Sequence, residues 1–197
     1  MDDKVIIFLD ADGVVNNHDI LFTLPDKLSE KFNAQERHPP LSPIAVGYLN
    51  KLCLDNPNIR IVFSSTWRTS PQDEITACFK NAHKRLCAAS KVRNIPYAIQ
   101  FDDTTPESWR TPINPDFSAP RGLEIDKWLE IYASQDQKYI IIDDDADFFA
   151  WHMPCFIQTH GFNGITLDDY FNLCDLLKTL EPTRQLRLDL KPRPLNQ

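Results

Sequence analysis

The sequence predicts an α/β fold, a Rossmann-like parallel sheet flanked by helices, and three observations predict it. The runs VIIFLDADG, IRIVFSSTWR and YIIIDDDAD are short, rich in Val, Ile and Phe, and unbroken rather than alternating, as strands buried on both faces should be. Helix-like stretches lie between them, and strands alternating with helices imply crossover connections and a parallel sheet. Each run ends in a polar cluster. In open sheets of this kind ligands bind beyond the carboxyl ends of the strands.

Taken in order, the first strand covers Val5 to Leu9. Ser42-Pro43 then reads as an N-cap followed by proline at the first helical position. That helix continues to about Leu54, with Ala45, Leu49, Leu52 and Cys53 on a shared face. After the second run, Ser70-Pro71-Gln72-Asp73 repeats the start signal, and Ile75, Cys78, Phe79 and Leu86 follow at helical spacing. A third helix is expected from Arg121 or Gly122 to Tyr132, turning Ile125, Trp128 and Leu129 inward. The third run precedes a short β-rich candidate, Cys155 to Thr159, and a last helix from Leu167 to about Leu180. Residues 1–180 are thus expected to form a single catalytic domain, with 181–197 as a tail or linker. The stretches 17–41 and 94–120 are too long for plain connections and are expected to be active-site loops, with His18 and Phe22 as candidate substrate contacts.

Composition narrows the classes. With 42% hydrophobic and 11% aromatic residues among 197, the chain can bury a sizeable core, which excludes disorder. No stretch approaches the roughly 18 apolar residues of a membrane span. No signal peptide is visible, since MDDK begins acidic and runs straight into a strand. The net charge of −7 argues against bulk nucleic-acid binding, which needs a basic footprint, but leaves local recognition of a phosphate open. Five scattered cysteines without a C-x-x-C pair suit the cytoplasm or another reducing compartment.

The chemistry gathers in the carboxylates. Asp10 and Asp12 close the first strand two residues apart, so in extended chain their side chains share a side, and Gly13 permits a sharp turn beyond them. The third run ends in Asp143, Asp144 and Asp145, with Asp147 one step further. Like charges about 4 Å apart repel by roughly 1 kcal/mol in water and about 4 kcal/mol at a typical surface dielectric. A fold that converges these ends needs a cation, and oxygen-only ligands favour Mg²⁺. Asp145 and Asp147 read more simply as a solvated turn.

These residues carry a resemblance. VIIFLDADGVVN resembles the first motif of the haloacid dehalogenase (HAD) superfamily of phosphotransferases, an apolar strand followed by D-x-D-G. IRIVFSSTWR is similar to the second motif, an apolar strand ending in Ser or Thr, and YIIIDDDAD to the fourth, a strand ending in paired acids. Arg121 stands where the third motif has Lys or Arg. More narrowly, Asn16, Trp67, Arg68, Gly122, Glu124, Ile125, Trp128 and Leu129 resemble the HAD domains of multidomain RNA-repair proteins. The chain departs from the common pattern in Val14, Ser64 and Arg121, and Arg110 or Lys127 are alternatives for the third motif.

The resemblance implies a HAD-like fold with little or no cap and a Mg²⁺-dependent phosphomonoester hydrolase. It implies that Asp10 takes the phosphoryl group as an aspartyl-phosphate. Asp12 would be general acid and base, lending its backbone carbonyl to the metal, which Asp10, Asp143 and Asp144 would also hold. Ser64, with backbone N–H groups around Ser65 and the Ser65 side chain as second choice, would hold phosphate oxygens, Gly13 would bind substrate, and Arg121 would neutralise charge; Trp67 and Arg68 are candidates to flank the phosphate, with a plain core place as the alternative for Trp67. An open site suits a macromolecular phosphate, a phosphoprotein such as phosphotyrosine or a nucleic-acid end, better than an enclosed metabolite. A small-ester phosphatase and a non-catalytic phosphate-binding or protein-interaction module are the alternatives.

Two further signals carry less. Cys87 to Arg93 matches the C-x₅-R spacing of cysteine-dependent phosphatases but follows a helical pattern and lacks glycine, so an ordinary helix end is expected. Lys80, Lys84, Arg85, Lys91 and Arg93 read as a solvated basic helix face, with an RNA, lipid-headgroup or acidic-protein contact as the alternative.

Overall fold

The computed structural model describes residues 4–17, 38–90, 95–114 and 119–182. Four strands form one parallel sheet in the order β2-β1-β3-β4: β1 (Val5–Leu9), β2 (Ile59–Phe63), β3 (Lys138–Asp143) and β4 (Phe156–Gln158). Every residue of β1 is buried, which is why its sequence does not alternate. The fourth strand is shorter than its β-rich sequence predicts, because Cys155 belongs to a 3₁₀ turn, Met153–Cys155.

Four helices are described: α1 (Pro43–Asp55), α2 (Gln72–Ser90), α3 (Arg121–Tyr132) and α4 (Leu167–Thr179). Ser42 caps α1, its hydroxyl accepting from the Ala45 N–H at 3.2 Å, with Pro43 as the first helical residue. Thr166 and Asp169 cap α4 reciprocally, side chain to backbone in both directions. α1 packs against α2 and α4. From α3, Trp128 sets its ring edge-on to Phe8 of β1 at 5.3 Å and donates its indole N–H to the Ser108 carbonyl. No helix among the described residues is long and apolar enough to cross a membrane.

Register decides what meets at the top of the sheet. Leu9 is level with Phe63 on one side and Ile142 on the other. One residue on, the Ser64 N–H donates to the Leu9 carbonyl at 2.8 Å and the Asp10 N–H to the Ile142 carbonyl at 3.0 Å. Asp10, Ser64 and Asp143 therefore leave the sheet side by side. The chain passes from β1 to β2 on one flank and then to β3 on the other, so the acids sit where the strand order reverses, the usual position of a ligand crevice.

The long stretch before α3 does something its length did not announce. Asp102 N–H donates to the Ile61 carbonyl, and Thr111 N–H to the Phe63 carbonyl, while Ile61 and Phe63 donate to Gln100 and Trp109. Residues 100–111 thus cover the outer edge of β2 and satisfy backbone groups that would otherwise invite pairing with another chain. Among its described residues, Ile113, Asn114 and Ala119 at the far end border the cavity beside α3. His18, Phe22, Lys91, Arg93 and the tail beyond residue 182 lie outside the described residues.

Candidate active site

Asp10, Asp143 and Asp144 each bring a carboxylate oxygen within 4.8 Å of the others. Asp10 is 5% and Asp143 3% exposed, so two of these acids are almost out of water. Burial first, then the charge of Asp143, hold the Asp10 carboxyl well above the usual carboxylate range; Asp12 and Asp144 add to the rise and Arg121 opposes it. Burial pushes Asp143 up to about 7, against the pull of the Asp145 N–H, which donates to it at 3.0 Å, and of Arg121. Without a further cation these groups are in conflict.

Arg121, the first residue of α3, pairs with Asp10, 3.8 Å from its Oδ1, and the Arg68 charge also acts on Asp10. It also donates to the Ser64 carbonyl, and its backbone N–H is fixed by Asp147 at 2.9 Å. Arg110 instead pairs with Glu107 and donates to the Arg68 carbonyl, and Lys127 pairs with Glu130 on the surface. Of the three cations open to the third-motif place, Arg121 is the one that reaches the acids.

Two glycines make room for Asp144. A Cβ on Gly13 would lie 2.1 Å from Asp144 Oδ2, and one on Gly161 would lie 2.6 Å from the same oxygen. Gly13 also has φ +73, a left-handed conformation that side chains resist. Its carbonyl accepts from the Thr159 hydroxyl at 2.9 Å, so the turn after β1 is tied to the end of β4. Gly161 carried no sequence signal beyond being a glycine after a strand, since its role arises from a contact made only in the fold.

Beyond β2 the two serines separate. Ser65 Oγ accepts from the Trp67 N–H at 3.4 Å and caps a 3₁₀ turn, Thr66–Thr69. Ser64 Oγ is buried with no partner among the described residues, so it is the hydroxyl with bonding capacity to spare. Arg68 and Trp67, the expected flanks of the substrate, each make a buried contact within the protein. Arg68 is buried, donating to Glu124 at 2.6 Å and to the Ser65 carbonyl at 2.8 Å, and so braces the serine turn against α3. The R-G-x-E spacing from Arg121 to Glu124 put this partner in the first turn of α3, but its mate 56 residues earlier was not readable. Trp67 is likewise buried and donates to Asp12. Asp12 itself is exposed, and its carboxylate lies outside the cluster of three.

A cavity of about 150 Å³ opens beside Arg121, and the Arg68–Glu124 pair lines it together with Thr66, Ile113, Asn114 and Asp147. Elsewhere, Cys53 and Cys155 are buried with thiols pushed up to about 12, and Cys87 lies on α2, 3.6 Å from His83 Nε2, rather than in a loop after a strand.

The sequence model of the HAD domain in Swiss Army Knife RNA repair proteins matches residues 6–170. The chain belongs to that family. The α/β arrangement is accordingly a HAD-like one, and a HAD domain is a phosphatase-like hydrolase. No curated protein and no solved structure matches the chain.

The residues fit a divalent ion. The donors are all carboxylate oxygens, close enough to share one cation, and two of them are buried as charges at a cost that a bound cation would relieve.

Proposed function

We propose that this HAD domain is a Mg²⁺-dependent phosphomonoester hydrolase that transfers the phosphoryl group to Asp10. The observation that carries the reading is the meeting of Asp10, Asp143 and Asp144 at one strand edge with Arg121 beside the first of them. The carboxylates of these three acids, with the Asp12 carbonyl, would hold Mg²⁺, which supplies positive charge to the nucleophile and the phosphoryl oxygens.

In the first step an Asp10 oxygen attacks phosphorus and the bond from phosphorus to the leaving oxygen breaks, while Asp12 gives that oxygen its proton. In the second, water attacks the same phosphorus and Asp12 takes the water proton. Asp10 leaves as a carboxylate, and inorganic phosphate is released. Arg121 faces the charge that builds on the phosphoryl oxygens, and the spare Ser64 hydroxyl offers them a donor.

The substrate we propose is an accessible phosphate on a macromolecule. Membership of an RNA-repair family favours an RNA end over a phosphotyrosine peptide. The net charge of −7 favours recognition of the terminal phosphate over a grip on a long backbone. Hydrolysis of 4-nitrophenyl phosphate with Mg²⁺ and with EDTA tests the reaction. A panel of 5′- and 3′-phosphorylated oligoribonucleotides, phosphotyrosine peptides and sugar phosphates tests the substrate. Activity that EDTA leaves intact contradicts the first; preference for sugar phosphates contradicts the second.

A further inference from the structure

Asp12 stands at the rim with its carboxylate exposed, yet both its oxygens are held. Asn16 Nδ2 donates to Oδ1 at 2.6 Å, and Trp67 Nε1 donates to Oδ2 at 2.9 Å. We infer that Asn16 and Trp67 are positioning residues that clamp Asp12 for proton transfer to the leaving oxygen. This rests on the reading of Asp12 as the general acid.

Each arm of the clamp is itself fixed. Asn16 is buried, its N–H donating to the Ala11 carbonyl and its own carbonyl accepting from Gly13, both at 2.7 Å. Trp67 is 8% exposed and lies against the His38 ring, with centroids 4.4 Å apart and planes 15° from parallel. His38 Nε2 is 2.7 Å from Ser70 Oγ. Three separate stretches of chain thus meet to hold one carboxylate that would otherwise rotate freely about its side-chain bonds.

The chemistry gives the clamp a purpose. An indole N–H has nothing to accept with, and Asn16 presents its amide donor end, so neither competes for the proton Asp12 carries. Hydrogen bonds to an ionised oxygen are roughly twice as strong as those between neutral groups. Both therefore tighten as Asp12 releases its proton to the leaving oxygen, and stabilisation that grows along this first step lowers its barrier rather than merely securing the ground state. Trp67 acts through Asp12, and its effect should be greatest where the leaving oxygen most needs a proton.

The test is a series of para-substituted phenyl phosphates, from 4-nitrophenyl to 4-methoxyphenyl, hydrolysed by the full chain with Mg²⁺ as wild type, Trp67→Phe and Asn16→Ala. General acid catalysis is worth about 10² to 10⁴ in rate. Each variant should lose at least about tenfold more kcat/KM on the methoxy ester than on the nitro ester. A defect of folding or substrate contact lowers the whole series alike, so parallel losses overturn the inference. Independently, the Trp67 indole N–H resonance should move in Asp12→Asn, and an unmoved resonance overturns the contact itself. If the wild type hydrolyses none of the esters, the phosphatase reading falls and this inference with it; parallel losses sink this inference alone.

Discussion

Asp102 and Asp143 are both buried acids beside the sheet, 1% and 3% exposed, and they are held in opposite ways. At Asp102 burial pushes the carboxyl up, but hydrogen bonds from Lys4, Ser108 and Thr104 and the Lys4 charge outweigh it, so its pKa lies below the usual value. Lys4 Nζ sits 2.6 Å from its Oδ1. Asp143 receives one backbone N–H, looks across at Arg121, and has Asp144 and Asp147 for company, and it is pushed up to about 7. The same side chain, equally shut off from solvent contact, is satisfied in one place and left wanting in the other. Burial alone therefore marks nothing; burial without compensation marks a site that expects a charged visitor.

The contrast breaks most visibly at Asp10. Asp10→Asn should lower turnover of 4-nitrophenyl phosphate by more than about a thousandfold, because it removes the nucleophile. It should also leave the metal-free protein at least as stable as wild type, since a crowded charge goes with it. Retained turnover with intact folding would exclude Asp10 as the phosphoryl acceptor.

A smaller change sharpens it at Asp144. Gly161→Ala places a methyl 2.6 Å from where Asp144 Oδ2 now lies, so the carboxylate must move. We expect Mg²⁺ affinity to fall by about tenfold, in the range seen when groups supporting metal ligands are disturbed, read by titration calorimetry. Unchanged affinity would mean that Asp144 does not hold the ion in its present pose.

The satisfied acid should behave in the reverse sense. Asp102→Ala should cost about 1–3 kcal/mol in urea unfolding, the usual scale for losing buried hydrogen bonds to a charged group, while kcat changes less than about threefold. A large catalytic loss with little loss of stability would put Asp102 in the wrong class.

Legibility in the sequence followed the same divide. Unbroken apolar runs gave the strands of the sheet because burial on both faces leaves no room for alternation, and Ser42-Pro43 gave the start of α1 because cap chemistry is local. The convergence of Asp10, Asp143 and Asp144 was legible because strand ends in a parallel sheet must meet. What was hidden depends on side chains far apart in sequence. The Arg68–Glu124 brace, the Trp67 bond to Asp12 and the fit of Gly161 around Asp144 arise from three-dimensional contact, and no spacing encodes them. The edge cover over β2 was hidden too, because residues 100–111 pair with it mainly as irregular chain.

If the crowded acids are made for a cation, protons compete with that cation. Because Asp10 and Asp143 are raised on folding, the folded protein holds extra protons above the unfolded carboxylate value, so metal-free stability falls as pH rises from about 4 to about 7. Asp102, being lowered, contributes stability that is present above the unfolded value and lost as pH falls through its folded one. Thermal unfolding with and without Mg²⁺, at about pH 5.5 and about pH 8, reads the competition directly. Mg²⁺ should raise the midpoint by several degrees at the higher pH, much less at the lower, and hardly at all in Asp143→Asn. A midpoint that Mg²⁺ leaves unmoved at the higher pH, or moves equally in the variant, would contradict it.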